Sequence, residues 1–345
     1  MKKLNFKAAI LKESRSPLIV DEVAVSTELL SGQVLVKLHY SGVCGKQVEE
    51  IDAHFGYDRF LPHLLGHEGS GIVVAVGDGV SKVREGDPVI LHWMNGAGTP
   101  SESGEYSWAG KKLNAGQLTT FNEYAVVPET KVTKIPNDSN LEFAAMLGCG
   151  ISTGFGAVFN ESKPFPQSKV VVWGCGGVGL SVVIACRELG LTNILVIDKS
   201  DLALDRAKKC GATTCFNLTK LEESNFINKH SGNYDFGYVC AGDPSAISTC
   251  HLLMRENSGL FVVGVPPPHQ SISIDPLMLH KRKMITGSYG GSIVPENDLP
   301  KYLKIISSSK FPMKYFKGET INLEKINYGV DLTRQGGHGR IIIKF

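Results

Sequence analysis

The chain has 345 residues, 42% of them hydrophobic and 20% charged, with a net charge of +2. That length exceeds one ordinary core and implies two domains, and the composition is that of a globular protein. A near-neutral balance with scattered Lys and Arg leaves no reason to expect nucleic acid or a membrane surface as a partner, and no apolar run approaches the ~18 residues of a membrane-spanning helix.

The segment from Met1 to Lys7 lacks the apolar stretch of a signal peptide, and a strand is predicted from Lys7 to Leu11. Short β-rich runs follow at Gln33 to Leu38 and Ser70 to Val76, with another apolar run at Val89-Ile90-Leu91 after a Gly86-Asp87-Pro88 turn. The stretch from Asn95 to Gly116, rich in Gly and Ser, reads as a long loop. A helix is predicted over Glu142 to Met146, leading into Leu147-Gly148-Cys149-Gly150. Strands and helices then alternate. Strands are expected at Lys169 to Trp173, Asn193 to Ile197, Asp235 to Cys240 and Leu260 to Val265. Helices are expected at Leu180 to Leu189, closed by Gly190, and at Asp201 to Lys209, closed near Gly211. Continuous apolar strands between helices predict a doubly wound parallel sheet covered on both faces. Beyond about Gly290 the alternation ends, and the last strand, Gly339 to Phe345, returns to the first domain.

Two constellations carry chemistry. Gly174-x-Gly176-x-x-Gly179, with Gly177 and Val178 inside it, follows an apolar strand and opens a helix. In that setting the glycines permit the tight turn, the approach of a pyrophosphate and close helix–strand packing. Asp198 ends the next strand, 19 residues after Gly179, where a carboxylate accepts from ribose hydroxyls and repels a 2′-phosphate. NAD(H) is therefore expected rather than NADP(H), a preference weakened slightly by Lys199 beside it. The second constellation is Cys44, His67 and Cys149, each next to glycine or at a strand end. Two thiolates and an imidazole suit one Zn²⁺, with a fourth position left for water or substrate. A Lewis-acid metal beside a dinucleotide turn implies hydride transfer at an alcohol or carbonyl carbon. The other cysteines, at irregular spacing, read as free thiols of a cytosolic protein. Cys175 reads as merely tolerated in its turn, and His63 and His92 as packing residues.

These residues resemble the zinc-dependent alcohol dehydrogenases of the medium-chain dehydrogenase/reductase superfamily over essentially the full length. Gly66-His67-Glu68-x-x-Gly71-x5-Gly77-x-x-Val80 fits that family's zinc signature, and Leu147 to Gly154 looks like the segment bearing its last zinc ligand. The resemblance implies an α/β fold, with a Rossmann domain (151–290) inserted into a GroES-like, mostly-β catalytic domain (1–150, to which 291–345 returns). It implies Cys44, His67 and Cys149 as zinc ligands, and Glu68 as a carboxylate able to visit the metal. Thr153, Val178 and Val263 fall to the cofactor, Arg340 to its pyrophosphate, and Trp93 to a wall of the substrate pocket. A small alcohol or carbonyl substrate and a homo-oligomer, dimer or tetramer, are expected.

The sequence departs from that family at four places. The 95–116 loop contains no cysteine, so a structural tetrathiolate zinc is excluded there and one catalytic zinc per chain is expected. Lys46 replaces the usual Ser or Thr. It is a neutral base, an ammonium paired with an anionic substrate, or a side chain turned to solvent. Gln47 replaces an Asp that orients the ligand His. Glu49 replaces a relay His, and with Glu50 it either pairs with Lys46 or, the preferred reading, forms a solvated surface. Lys46, His92 and Trp93 point to a polar alcohol such as a polyol, sugar or sugar phosphate. A zinc-free quinone or enoyl reductase and a non-catalytic NAD(H)- and zinc-binding protein are the competing readings.

Overall fold

A computed structural model describes residues 3–220 and 222–345. A six-stranded sheet takes the order Thr214–Asn217, Asn193–Asp198, Lys169–Trp173, Tyr234–Val239, Met254–Val262, Lys283–Gly287. Every neighbouring pair in it is parallel. Its central strands are apolar because both faces are covered: Val170, Val171 and Val172 are fully buried, as are Ile194 and Val196. The chain order reverses between Lys169–Trp173 and Tyr234–Val239, and the glycine turn lies at the carboxyl end of the first of these, where ligands bind open parallel sheets. The following helix, Gly177–Glu188, starts three residues before the expected Leu180. Gly179 is required there by contact, since a Cβ would lie 2.0 Å from the Gly174 carbonyl oxygen.

The rest of the strands form two further sheets. The seven-stranded one runs Val132–Lys134, Pro88–His92, Glu68–Val76, Gln33–Val43, Arg340–Lys344, Lys317–Ile321, with Tyr124–Pro128 also on Gln33–Val43. The final strand is antiparallel to Gln33–Val43, with Ile341 opposite Val43. This is the predicted return of the chain end. The five-stranded sheet includes Lys3–Leu11 and Ile19–Ser26.

The 95–116 segment is not all loop. Tyr106–Trp108 and Lys111–Leu113 form a hairpin turning at Ala109 and Gly110, both at positive φ, and Tyr106–Trp108 extends the five-stranded sheet. Sequence periodicity missed it because each strand has only three residues. Trp108 Nε1 donating to Asp21 (2.8 Å) and buried Tyr106 and Leu113 anchor it. The strand expected over Leu260 to Val265 runs instead from Met254 to Val262, and residues 263–265 leave the sheet to line a cleft. Gly150–Gly156 and Ala157–Ser162 are helical turns that no pattern announced: the first is buried all round and the second is only six residues long, half-buried from Phe159 on. Among the described residues no single helix is long and apolar enough to cross a membrane.

The cysteine-free loop after Asn95 is held by carboxylates. Glu129, fully buried, accepts the backbone N–H of Thr99 (2.7 Å), Ser81 (2.7 Å) and Lys82 (2.5 Å). Glu296 accepts the Ala97 N–H and pairs with Lys82, both at 2.8 Å. Burial alone would raise the Glu129 carboxyl, but its N–H donors prevail and hold it below the usual carboxylate range. A depressed carboxylate stabilises the fold above its unfolded pKa and loses that contribution as pH falls through the folded value. Replacing Glu129 with Gln should therefore cost about 2 kcal/mol at pH 7, measured by urea unfolding, and the deficit should shrink below about pH 4.

Candidate active site

Three elements bring the sulfur and nitrogen ligands together. Gln33–Val43 ends at Cys44, which caps the Gly45–Ile51 helix. His67 immediately precedes the Glu68–Val76 strand, and Cys149 caps Gly150–Gly156. The ligand atoms of Cys44, His67 and Cys149 lie within 4.8 Å of one another. His67 Nε2 is buried without a hydrogen-bond partner, while the Gln47 amide lies against Nδ1. The proximity of the two sulfurs holds Cys44 well below the usual thiol range and pushes Cys149 well above it, with burial also raising Cys149. An orphaned imidazole nitrogen beside two closely placed sulfurs is a donor set suited to Zn²⁺.

Beneath the ligands lies a buried ion pair. Arg340 Nε is 3.1 Å from Glu68 Oε1, misaligned for a hydrogen bond but close in charge. Arg340 Nη1 donates to the Val43 carbonyl (3.1 Å), and the Gly150 N–H donates to Glu68 Oε2 (3.1 Å). Gly150 has no room for a side chain, since a Cβ would sit 1.8 Å from Arg340 Nη2. Burial raises the Glu68 carboxyl even against Arg340. Burial works against the Arg340 charge too, but Glu68 overcomes it and raises the guanidinium.

The ligands open into a cleft of about 490 Å³. Of the residues singled out from sequence, Lys46, Trp93, Thr153, Gly176, Gly177, Val178, Gly179, Val263 and Arg340 line it along with the three ligands. Glu68 lies behind the wall, fully buried. Gly174 and Asp198 are set back from the lining. Asp198 accepts the N–H groups of Cys175 (2.6 Å) and Ser200 (2.9 Å), which fixes the glycine turn. Lys199 is exposed and outside the lining.

Other expectations change. Glu49 is not a solvated surface residue, because its carboxylate is 3.3 Å from Lys46 Nζ and lines the cleft. Lys46 is not free in solvent either, since its ammonium also sits 3.3 Å above the Phe55 ring. Glu50 joins His63 and Asp58. His92 is buried, bonded to the Met94 carbonyl and Thr133 (both 2.9 Å), and burial pushes it down to about 4, so it takes no part in the cleft. Cys175, in the glycine turn, and Cys240 also line the cleft. Sequence reasoning missed Arg206, Tyr289 and the Gly336-Gly337-His338-Gly339 turn, which also line it. The run of glycines before Arg340 was the available signal for the last. Tyr289 meets Trp93 edge-on, with centroids 5.1 Å apart.

Comparison with known proteins agrees with this geometry. Residues 30–137 match the alcohol dehydrogenase GroES-like domain, and residues 177–308 match the zinc-binding dehydrogenase family. The chain is 29% identical to alcohol dehydrogenase 6 of Peromyscus maniculatus, across 97% of this chain and 96% of that one. An alcohol dehydrogenase zinc-binding domain protein from Burkholderia ambifaria superposes with a TM-score of 0.90 at 26% identity, covering 100% of both chains. Benzyl alcohol dehydrogenase from Acinetobacter calcoaceticus gives 0.88 at 26% identity over 99% of both. With a GroES-like part and a parallel Rossmann sheet in one chain, this protein belongs to the zinc-dependent alcohol dehydrogenase family of the medium-chain dehydrogenase/reductase superfamily, a family of oxidoreductases.

Proposed function

We propose that the protein is a Zn²⁺- and NAD(H)-dependent dehydrogenase interconverting an alcohol with its aldehyde or ketone. The observation that carries this reading is the convergence of Cys44, Cys149 and the unpartnered His67 Nε2 in the cleft that also holds the glycine turn. Zn²⁺ bound by those three side chains would act as a Lewis acid that acidifies an alcohol and polarises a carbonyl. Glu68, next to His67 and paired with Arg340, is the carboxylate able to visit the metal. NAD(H) supplies the hydride acceptor or donor. Val178, Thr153 and Val263 offer apolar surface for the nicotinamide, and the free N–H groups of the Gly177–Glu188 helix suit its phosphates. Arg340, whose guanidinium lies 3.3 Å from where a Gly177 Cβ would be, adds positive charge at that turn. Asp198 favours NAD(H) over NADP(H), and exposed Lys199 moderates that preference.

One Zn²⁺ at the thiolates, and none on the cysteine-free 95–116 segment, follows from the ligand chemistry. The eight cysteines are all free, which supports a reducing compartment, the cytoplasm. Family membership supports a homo-oligomer. His92 is buried away from the cleft, and the Lys46–Glu49 pair at its lip favours a polar alcohol such as a polyol, sugar or sugar phosphate.

Cys44→Ser should cut turnover by at least about 100-fold, the several kcal/mol a Lewis acid contributes, while NADH fluorescence titration shows unchanged cofactor binding. Near-native turnover in a variant shown by elemental analysis to lack zinc would overturn the zinc role. Asp198→Ala should lower the NAD/NADP ratio of kcat/KM by about 10-fold, roughly 1.4 kcal/mol. A panel of alcohols and polyols, with and without phosphate and including benzyl alcohol, should rank polar substrates first by NADH absorbance. Lys46→Thr should reorder the panel, and an unchanged order removes Lys46 from substrate choice.

A further inference from the structure

A second group of ligand-type side chains lies outside the thiolate site. Glu50 comes from the end of the Gly45–Ile51 helix, Asp58 from the loop after it, and His63 from the His63–Leu64 strand. Their ligand atoms lie within 4.8 Å of one another. His63 is the informative member. Its side chain is only 7% exposed, and Nδ1 donates to the Leu64 carbonyl oxygen at 2.9 Å. A neutral ring with its hydrogen on Nδ1 has only a lone pair on Nε2. Nε2 is hydrogen-bonded to Asp58 Oδ2 at 2.8 Å and lies 3.8 Å from Glu50 Oε1. A buried ring nitrogen set between two carboxylates calls for a positive species there, a proton or a metal ion.

A proton on Nε2 would hydrogen-bond Asp58 and leave Glu50 at 3.8 Å, beyond hydrogen-bond reach. Among the described residues, neither carboxylate pairs with a lysine or an arginine, and the nearby Lys46 is taken by Glu49. Partial burial, with Asp58 beside it, pushes the Glu50 carboxyl up despite His63. Ligands about 2.1 Å from an ion lie roughly 3–3.5 Å apart, between the observed 2.8 and 3.8 Å, so small side-chain adjustments would suffice. The Asp58 carboxylate is already oriented, its other oxygen accepting the Phe60 N–H at 2.8 Å. Glu50 is 42% exposed, leaving an entry path and room for water to complete the shell.

We infer that Glu50, Asp58 and His63 form a second divalent-metal site, for a first-row transition ion accepting one imidazole nitrogen and two carboxylate oxygens. Such a mixed N,O₂ set suits borderline ions rather than the softer ions that thiolates select. The site is additional to the Cys44, His67 and Cys149 site, does not depend on its chemistry, and binds more weakly because it has no thiolate and is half open. A bound ion would tie the loop after Ile51 to the helix that Cys44 caps. That loop carries Phe55, on which Lys46 rests, so the ion would set the lip of the cleft.

The test uses the full chain with zinc already on the thiolates. Mn²⁺ is the probe, because it stands lowest in the affinity order and leaves that zinc in place. Free Mn²⁺ is read by electron paramagnetic resonance during titration. One saturable Mn²⁺ per chain is expected. Asp58→Asn and Glu50→Gln should each weaken it at least about tenfold, a loss of one oxygen ligand, with zinc content and NADH binding unchanged. Pulsed spectra of the wild-type protein should show one directly bound imidazole nitrogen, a readout independent of any variant. Absence of saturable Mn²⁺, absence of that nitrogen, or binding retained in both variants would overturn the site and leave an imidazolium ion pair.

Discussion

A buried carboxylate–guanidinium pair, Glu68 with Arg340, is the contact on which the site's geometry rests. Each partner reaches the backbone next to a ligand: Arg340 bonds the Val43 carbonyl before Cys44, Glu68 follows His67 directly, and Glu68 accepts the Gly150 N–H after Cys149. Two buried charges are tolerable only when paired and further hydrogen-bonded. Satisfying them fixes three chain segments, far apart in sequence, against one another. Because Arg340 belongs to the last strand, the site is incomplete until the C-terminal strand has paired with Gln33–Val43.

The cleft itself follows from topology. A parallel sheet that reverses its order beside Lys169–Trp173 leaves a crevice at the carboxyl ends of its strands. The glycine turn opens a helix into that crevice, and Asp198 holds the turn through the Cys175 N–H. The turn at residues 336–339 and the ligand-bearing segments close the opposite side. Arg340 therefore serves both sides, supporting the ligands beneath and lying against Gly177 of the phosphate turn.

Where the chain departs from its family, carboxylates take over structural work. Glu129 and Glu296 gather backbone N–H groups of the loop after Asn95, a task for which no thiolates are available there. At the lip, Glu49 and the Phe55 ring hold Lys46 in one place, so its ammonium is a fixed feature of the cleft mouth.

The sequence alone pointed to the parallel sheet, the glycine turn and the Cys44, His67 and Cys149 set, because these depend on local pattern: apolar strands, glycine where a Cβ cannot fit, and ligand-type residues beside glycines. The chain end's return was legible in the apolar run Ile341-Ile342-Ile343. Short or enclosed elements escaped, such as the Tyr106–Leu113 hairpin and the buried turn Gly150–Gly156, since three residues or an all-round buried face carry no period. Only the tertiary structure decided that Arg340 pairs with Glu68, that Glu49 holds Lys46 and that Glu50 meets Asp58 and His63. Those outcomes depend on which distant side chains meet once solvent is excluded, and no local rule of spacing encodes the meeting of residue 68 with residue 340.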